Sequence, residues 1–137
     1  MNANDSETGR LRELHEAHVC AWNEFDLGAL GQIYDPDCCI FDIIPPPVFR
    51  NLREFLEYVT PVFQSYSGFQ LRTFDEVVRV DERRDDRIGW VAACYELEVR
   101  RGEGVYRHSG RWTEIFEKRH DTWKLVHFHS SQDPAGL

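Results

Sequence analysis

The sequence predicts an α+β domain, with three helices first and a meander of antiparallel strands after them. Two patterns carry this. Apolar residues in the first half recur at spacings of three and four, and the second half holds four long strand-like segments separated by short polar turns. At 137 residues the chain, residues 1–137, fits one domain, with no repeat, low-complexity tract or linker to divide it.

Residues near Ser6 to Phe25 read as a long first helix. Leu11, Leu14, His18, Ala21, Trp22 and Phe25 form one stripe, and Ser6 is placed to cap its start. Asp26-Leu27-Gly28 breaks it, and a shorter helix runs from Leu27 to Tyr34. Asp35-Pro36-Asp37 reads as a turn, and Cys38 to Asp42 as a short strand. Pro45-Pro46-Pro47 forbids helix and central strand alike, which marks a rim loop. The third helix spans about Leu52 to Ser65, with Phe55, Val59 and Phe63 four apart and Pro61 expected to kink it or end it early. The strands are Phe69 to Val80, Arg87 to Arg100, Val105 to Lys118 and Trp123 to Ser131. Asp81 to Asp86 and Arg101-Gly102-Glu103-Gly104 are polar hairpin tips, and Arg119-His120-Asp121-Thr122 closes the last hairpin. Helices would cover one face of a curved sheet. The other face still carries apolar residues, so it is expected to bury itself against a second copy, giving a homodimer.

Composition narrows the partners. The net charge of −8 disfavours nucleic acid and anionic membrane surfaces. No apolar run is long enough to span a bilayer, and Met1 to Glu7 lacks the basic start and apolar stretch of a signal peptide, so a cytoplasmic location is expected. Cys20, Cys38, Cys39 and Cys94 form no Cys-x-x-Cys pair and read as reduced, mostly buried thiols. His127 and His129 share a face but have no third ligand at suitable spacing, so no metal is expected. Neither a phosphate-binding glycine loop nor a nucleophile motif is present, and no cofactor is implied. Nine Phe, five Tyr and four Trp are enough flat side chain to line a cavity as well as fill a core.

The last forty residues are the most specific in wording: Gly110-Arg111-Trp112-Thr113-Glu114-Ile115-Phe116, then Trp123-Lys124-Leu125-Val126-His127-Phe128-His129-Ser130-Ser131. They resemble the closing hairpin of SnoaL-like domains of the nuclear-transport-factor-two-like superfamily. The second run is especially similar to the association domain of calcium/calmodulin-dependent protein kinase two. His18 to Asp42 is similar to the first two helices and first strand of ketosteroid isomerases. The resemblance implies a cone: three helices packed on a strongly curved, mostly antiparallel sheet around one pocket. This superfold hosts isomerases, dehydratases, cyclases, hydrolases and plain binding modules.

The resemblance also implies roles. Asp42 falls where the isomerases keep a proton-shuttling carboxylate, and His18 where they keep an oxyanion-donating tyrosine. Glu114 falls near their second donor, a carboxylic acid held protonated. The kinase domain's arginine cluster corresponds to Glu96, Glu114 and Ser130, implying a pocket that has exchanged positive charge for acids and suits a neutral or cationic ligand. If those three face inward, Cys94 joins Glu96 on that face, opposite Tyr95, Leu97 and Val99; Val126 and Phe128 join Ser130, while His127 and His129 turn outward. Equally open is an ordinary cross-strand ion pair of Glu96 or Glu114 with Arg111, Arg100 or Arg72. Trp22, Tyr34, Phe41, Trp90, Trp112 and Phe128 are core or pocket wall. The expected activity is cofactor-independent proton transfer on a small, largely apolar molecule: an isomerase, dehydratase or cyclase with Asp42 as base. The rival is a non-catalytic ligand-binding or oligomerisation domain.

Overall fold

The computed structural model describes residues 3–43, 48–81 and 87–134, with side chains described from Glu7 onward. Among these the order is α1 (Ala3–Asn23), α2 (Leu27–Ile33), β1 (Tyr34–Phe41), α3 (Leu52–Ser65), β2 (Gly68–Asp81), β3 (Ile88–Arg101), β4 (Gly104–Arg119) and β5 (Thr122–Gln132). The strands form one curved, unclosed sheet in the order β1-β5-β4-β3-β2. The last four are the expected antiparallel meander, and β1 joins β5 in parallel. The proline loop at 45–47 and most of the hairpin tip between β2 and β3 lie outside the described residues.

Local chemistry explains most boundaries. α1 already begins at Ala3, so Ser6 falls inside its span and not at its start. Phe25 takes a left-handed conformation with φ 54°. Asp26 then starts α2 by accepting the amide of Ala29 at 3.0 Å. α3 is capped by Asn51, whose side chain accepts from the Glu54 amide at 2.9 Å. Pro61 does not end α3, which continues to Ser65 because its apolar face is already held by buried Phe55, Val59 and Phe63. Each of these is worth roughly 1.5–3 kcal/mol of burial. The predicted Asp35-Pro36-Asp37 turn is an irregularity within β1, where the Asp35 carboxylate accepts the Asp37 amide at 2.9 Å. The hairpin between β4 and β5 turns on His120 and Asp121, both at positive φ (51° and 64°), as a two-residue turn with the native strand twist requires.

One irregularity changes the reading of β5. Ile115 pairs with His127 and Phe116 with Leu125, so Val126 is an extra residue opposite β4. Strict alternation places Leu125 with His127 and His129 on the outer face. The bulge instead leaves Trp123, Leu125, Phe128 and Ser130 all buried on the concave side. His129 is exposed and faces outward as expected, and His127 is half-buried with its Nδ1 on the Cys39 carbonyl at 2.8 Å. Trp90, placed by the sequence in core or pocket wall, stands on the outer face and is 39% exposed. Of the four cysteines, all free, only Cys38 is buried, and Cys20 is exposed.

Candidate functional site

A cavity of about 240 Å³ opens between the helices and the concave face of the sheet. β4 runs through it from rim to core. Its inward residues are, in order, Tyr106, His108, Gly110, Trp112, Glu114 and Phe116. Tyr106, His108 and Trp112 line the cavity, while Glu114 and Phe116 lie beyond its floor, buried to 0%. Gly110 is required here: a Cβ would stand 1.9 Å from the Ser131 carbonyl and 2.8 Å from the ring of Tyr95. Its absence lets Tyr95 lie in the wall. The floor is Trp22, Leu71, Trp112 and Phe128, with the two rings of Trp112 and Phe128 edge-to-face at 4.6 Å. Leu97 and Val99 from β3 and Val59, Val62, Phe63 and Phe69 complete the apolar wall, and Ile43, Tyr66 and Arg101 complete the lining.

Asp42, just past the end of β1, is the one carboxyl group among the described residues of that lining. Its Oδ1 accepts the Ile43 amide at 2.7 Å and the Ser130 hydroxyl at 3.1 Å. Removal from water raises its pKa above the ordinary aspartate value. The two hydrogen bonds, and the nearby His18, oppose the rise without cancelling it. Tyr95 is 2% exposed, and its hydroxyl donates weakly to the Ser131 carbonyl at 3.3 Å. Burial first, then the Asp42 charge, push its phenol up to about 12, so it stays a proton-bearing donor.

Behind the floor lies a second polar group. Glu114 takes one hydrogen bond on each oxygen, from His15 Nδ1 to Oε1 and from His18 Nδ1 to Oε2, the latter at 2.8 Å. Burial alone pushes this carboxyl up, but the two imidazole donors win, and it is held down to about 2. His18 Nε2 receives the indole N–H of Trp22 at 3.1 Å and lies 2.6 Å from the Tyr34 hydroxyl. An indole can only donate, so this nitrogen is the acceptor of that bond. His15 Nε2 reaches Thr73 Oγ1 at 2.8 Å.

The structure therefore brings together Asp42, Trp22, Trp112, Phe128 and Ser130 from the expected set. It separates the others from the cavity. Glu114 is ionised and sealed behind the floor, so it is not the protonated donor expected. Both nitrogens of His18 are spent on core partners, so it has no donor to offer a ligand. Tyr34 is wholly buried, stacked on Phe55 at 5.6 Å. Phe41 lies on the outer face against His127 and His129. Cys94 and Glu96 point the other way from Tyr95 because of strand parity, and Glu96 pairs with Arg72 at 2.8 Å, one of the ordinary ion pairs left open above. Neither Glu96 nor Glu114 reaches the lining, where Asp42 is the acid present among the described residues. Tyr95, Leu97 and Val99 were the inward set, and the apolar character of that face was the signal. His15 lies four residues after Leu11 and three before His18, so helical spacing also placed it on the buried stripe. Tyr66 and Arg101 left no signal in the sequence, since each sits where an element ends, whereas His108 shares the strand parity of Trp112 and could have been placed by it. Among the described residues no cluster of three or more His, Cys, Asp or Glu is placed to hold a metal ion. None of the described helices is long and apolar enough to cross a membrane.

Comparison with known proteins agrees with this architecture. Residues 11–135 match the SnoaL-like domain model. No curated protein matches the sequence. Among solved structures, a nuclear transport factor 2-like superfamily protein from Salmonella enterica serovar Typhimurium superposes with a TM-score of 0.80 at 15% identity, covering 97% of this chain and 95% of that one. A Xanthomonas campestris protein named for the calcium/calmodulin dependent protein kinase II association domain gives 0.77 at 18% identity, covering 92% and 87%. A Novosphingobium aromaticivorans protein named for scytalone dehydratase gives 0.77 at 10% identity, covering 94% and 85%. At such identities the likeness is one of fold, the cone of the nuclear-transport-factor-two-like superfamily.

Proposed function

The chain belongs to the SnoaL-like family, and we propose that it is a cofactor-independent isomerase, dehydratase or cyclase whose base is Asp42. The observation that carries this is a lone carboxyl group with a raised pKa in the wall of a mostly apolar cavity. One of its oxygens is anchored by the Ile43 amide and Ser130. The name of the Novosphingobium neighbour supports the same class of reaction. Asp42 Oδ2 takes a proton from the carbon next to a substrate carbonyl, and the electron pair moves onto the carbonyl oxygen. The Tyr95 hydroxyl, loosely held at 3.3 Å, turns to meet that oxyanion. Asp42 then returns the proton to another carbon for isomerisation, or to a β-hydroxyl that leaves as water for dehydration. The donor role expected of His18 and Glu114 passes to Tyr95 in this scheme.

The test is deuterium exchange at the α-carbon of a small cyclic ketone in heavy water, followed by NMR. Asp42→Asn is expected to slow protein-catalysed exchange by about 10²–10⁴-fold, and Tyr95→Phe by less. An unchanged rate in Asp42→Asn refutes the mechanism. Because the base works ionised, the wild-type rate is expected to climb with pH through the raised pKa of Asp42 and then level off.

A second reading, assembly, is favoured by the outer sheet face. The register aligns Val77, Ala92, Thr113, His129 and Phe41 across all five strands, with Trp90, Ile115 and His127 in the next row. Trp90, Val77 and Phe41 are each more than a third exposed. A second copy covering this stripe gives the expected homodimer. Light scattering that finds a monomer at all concentrations refutes it.

A further inference from the structure

We propose that the cavity mouth is a subsite for the carboxylate of an amphipathic ligand, with Arg101 as its cation and His108 as a second donor. The inference rests on the reading of the cavity as a ligand site, and it reverses the charge preference expected from the sequence.

The arginines of this hairpin carry the argument. Arg100 and Arg107 both pair with Glu98, at 3.1 Å each, and Arg111 lies 4.0 Å from Asp133. Arg101, the last residue of β3, lines the cavity, yet no described carboxylate stands within ion-pair distance of it, Glu103 included. Its charge lowers the pKa of the Tyr66 phenol, which burial otherwise raises, so the guanidinium stands close to a second lining residue. His108 adds a directed donor. Its Nδ1 accepts the side-chain amide of Gln132 at 2.9 Å, which leaves Nε2 as the nitrogen that can donate. A guanidinium fork matches a carboxylate through two parallel hydrogen bonds, and a ring N–H supplies a third.

The carboxyl group already in the lining fixes the orientation. Asp42 stands among apolar walls, and a second anion beside it meets like charge in a dry setting. The ligand's charged end therefore belongs at the mouth, and its apolar body against Trp22, Trp112 and Phe128. The chemical class is a ring-bearing carboxylic acid, with any reacting carbonyl on the ring side.

The experiment is calorimetric titration with 3-(2-naphthyl)propionate and with the corresponding amide, which keeps the shape and removes the charge. Wild-type protein is expected to bind the carboxylate at least about ten-fold more tightly at low salt, and the ratio to shrink on going from about 20 to about 500 mM salt. Arg101→Gln is expected to bring the carboxylate down to the level of the amide and leave the amide unchanged. Arg101→Lys is expected to restore part of the preference. Arg101 is exposed, so these variants fold, as a thermal melt will verify. Equal affinity for the two probes, or an Arg101→Gln variant that weakens both alike, overturns the subsite. Equal affinity alongside Asp42-dependent exchange leaves the catalytic reading standing. Carboxylate preference without exchange does the opposite. Binding of neither probe overturns the subsite and the cavity reading together.

Discussion

Two carboxyl groups, half-buried Asp42 in the cavity wall and fully buried Glu114 behind its floor, receive opposite treatment. Glu114 has both oxygens occupied by imidazole N–H groups, and its pKa falls despite complete burial. Asp42 has two neutral donors crowded onto one oxygen, and its pKa rises. The lesson is that burial alone does not mark a working acid. A group whose hydrogen-bonding capacity is exhausted is a fastener. A group left under-satisfied beside open space can exchange a proton.

The sharpest way to break this contrast is Glu114→Ala. It strands two imidazoles in the core and is expected to cost about 3–5 kcal/mol, read from urea denaturation. A loss below about 1 kcal/mol contradicts the assigned network. Asp42→Asn is expected to do the reverse at neutral pH and stabilise by about 1 kcal/mol, because it removes an imperfectly satisfied charge.

The pH dependence separates the two by sign. The folded-state pKa of Glu114 is depressed, so its stabilisation is complete above its unfolded value and lost as pH falls toward about 2. The pKa of Asp42 is raised, so its penalty is absent below its unfolded value and grows as pH climbs through the folded one. The gain from Asp42→Asn is therefore expected to vanish in acid, as measured by melts across pH. The smallest effect is expected at Trp112, whose indole N–H has no partner among the described residues. Trp112→Phe removes an unsatisfied donor along with some packing, and the two nearly offset, to within about 1 kcal/mol.

Much of the architecture was legible in the sequence. Helical spacing around Leu11, Leu14 and Trp22, and around Phe55, Val59 and Phe63, located the main helices, and polar tips separated the strands within a residue or two. The site was legible where a residue's direction follows from a regular element, as for Trp112 and Phe128, and at Ser130, which likeness to the kinase association domain pointed inward. It was misread on β3, where likeness to a distant domain was followed in place of polarity: Glu96 faces water, and Tyr95 faces the cavity. His18 stands where its spacing put it, but spacing cannot tell a nitrogen that is free from one already engaged. That depends on Glu114 and Tyr34, 96 and 16 residues away.

The surplus residue at Val126 works as a change of phase within one strand. Ahead of it, Trp123 and Leu125 serve the packed base of the cone; behind it, Phe128 and Ser130 serve the hollow. Each half keeps its own rhythm of in and out, so floor and chamber can vary in sequence separately while sharing a backbone. Were the strand to pair regularly with that residue still in place, Ser130, with its hold on Asp42, would turn toward the outside; deleting the residue would instead leave a plain strand with Ser130 still facing in.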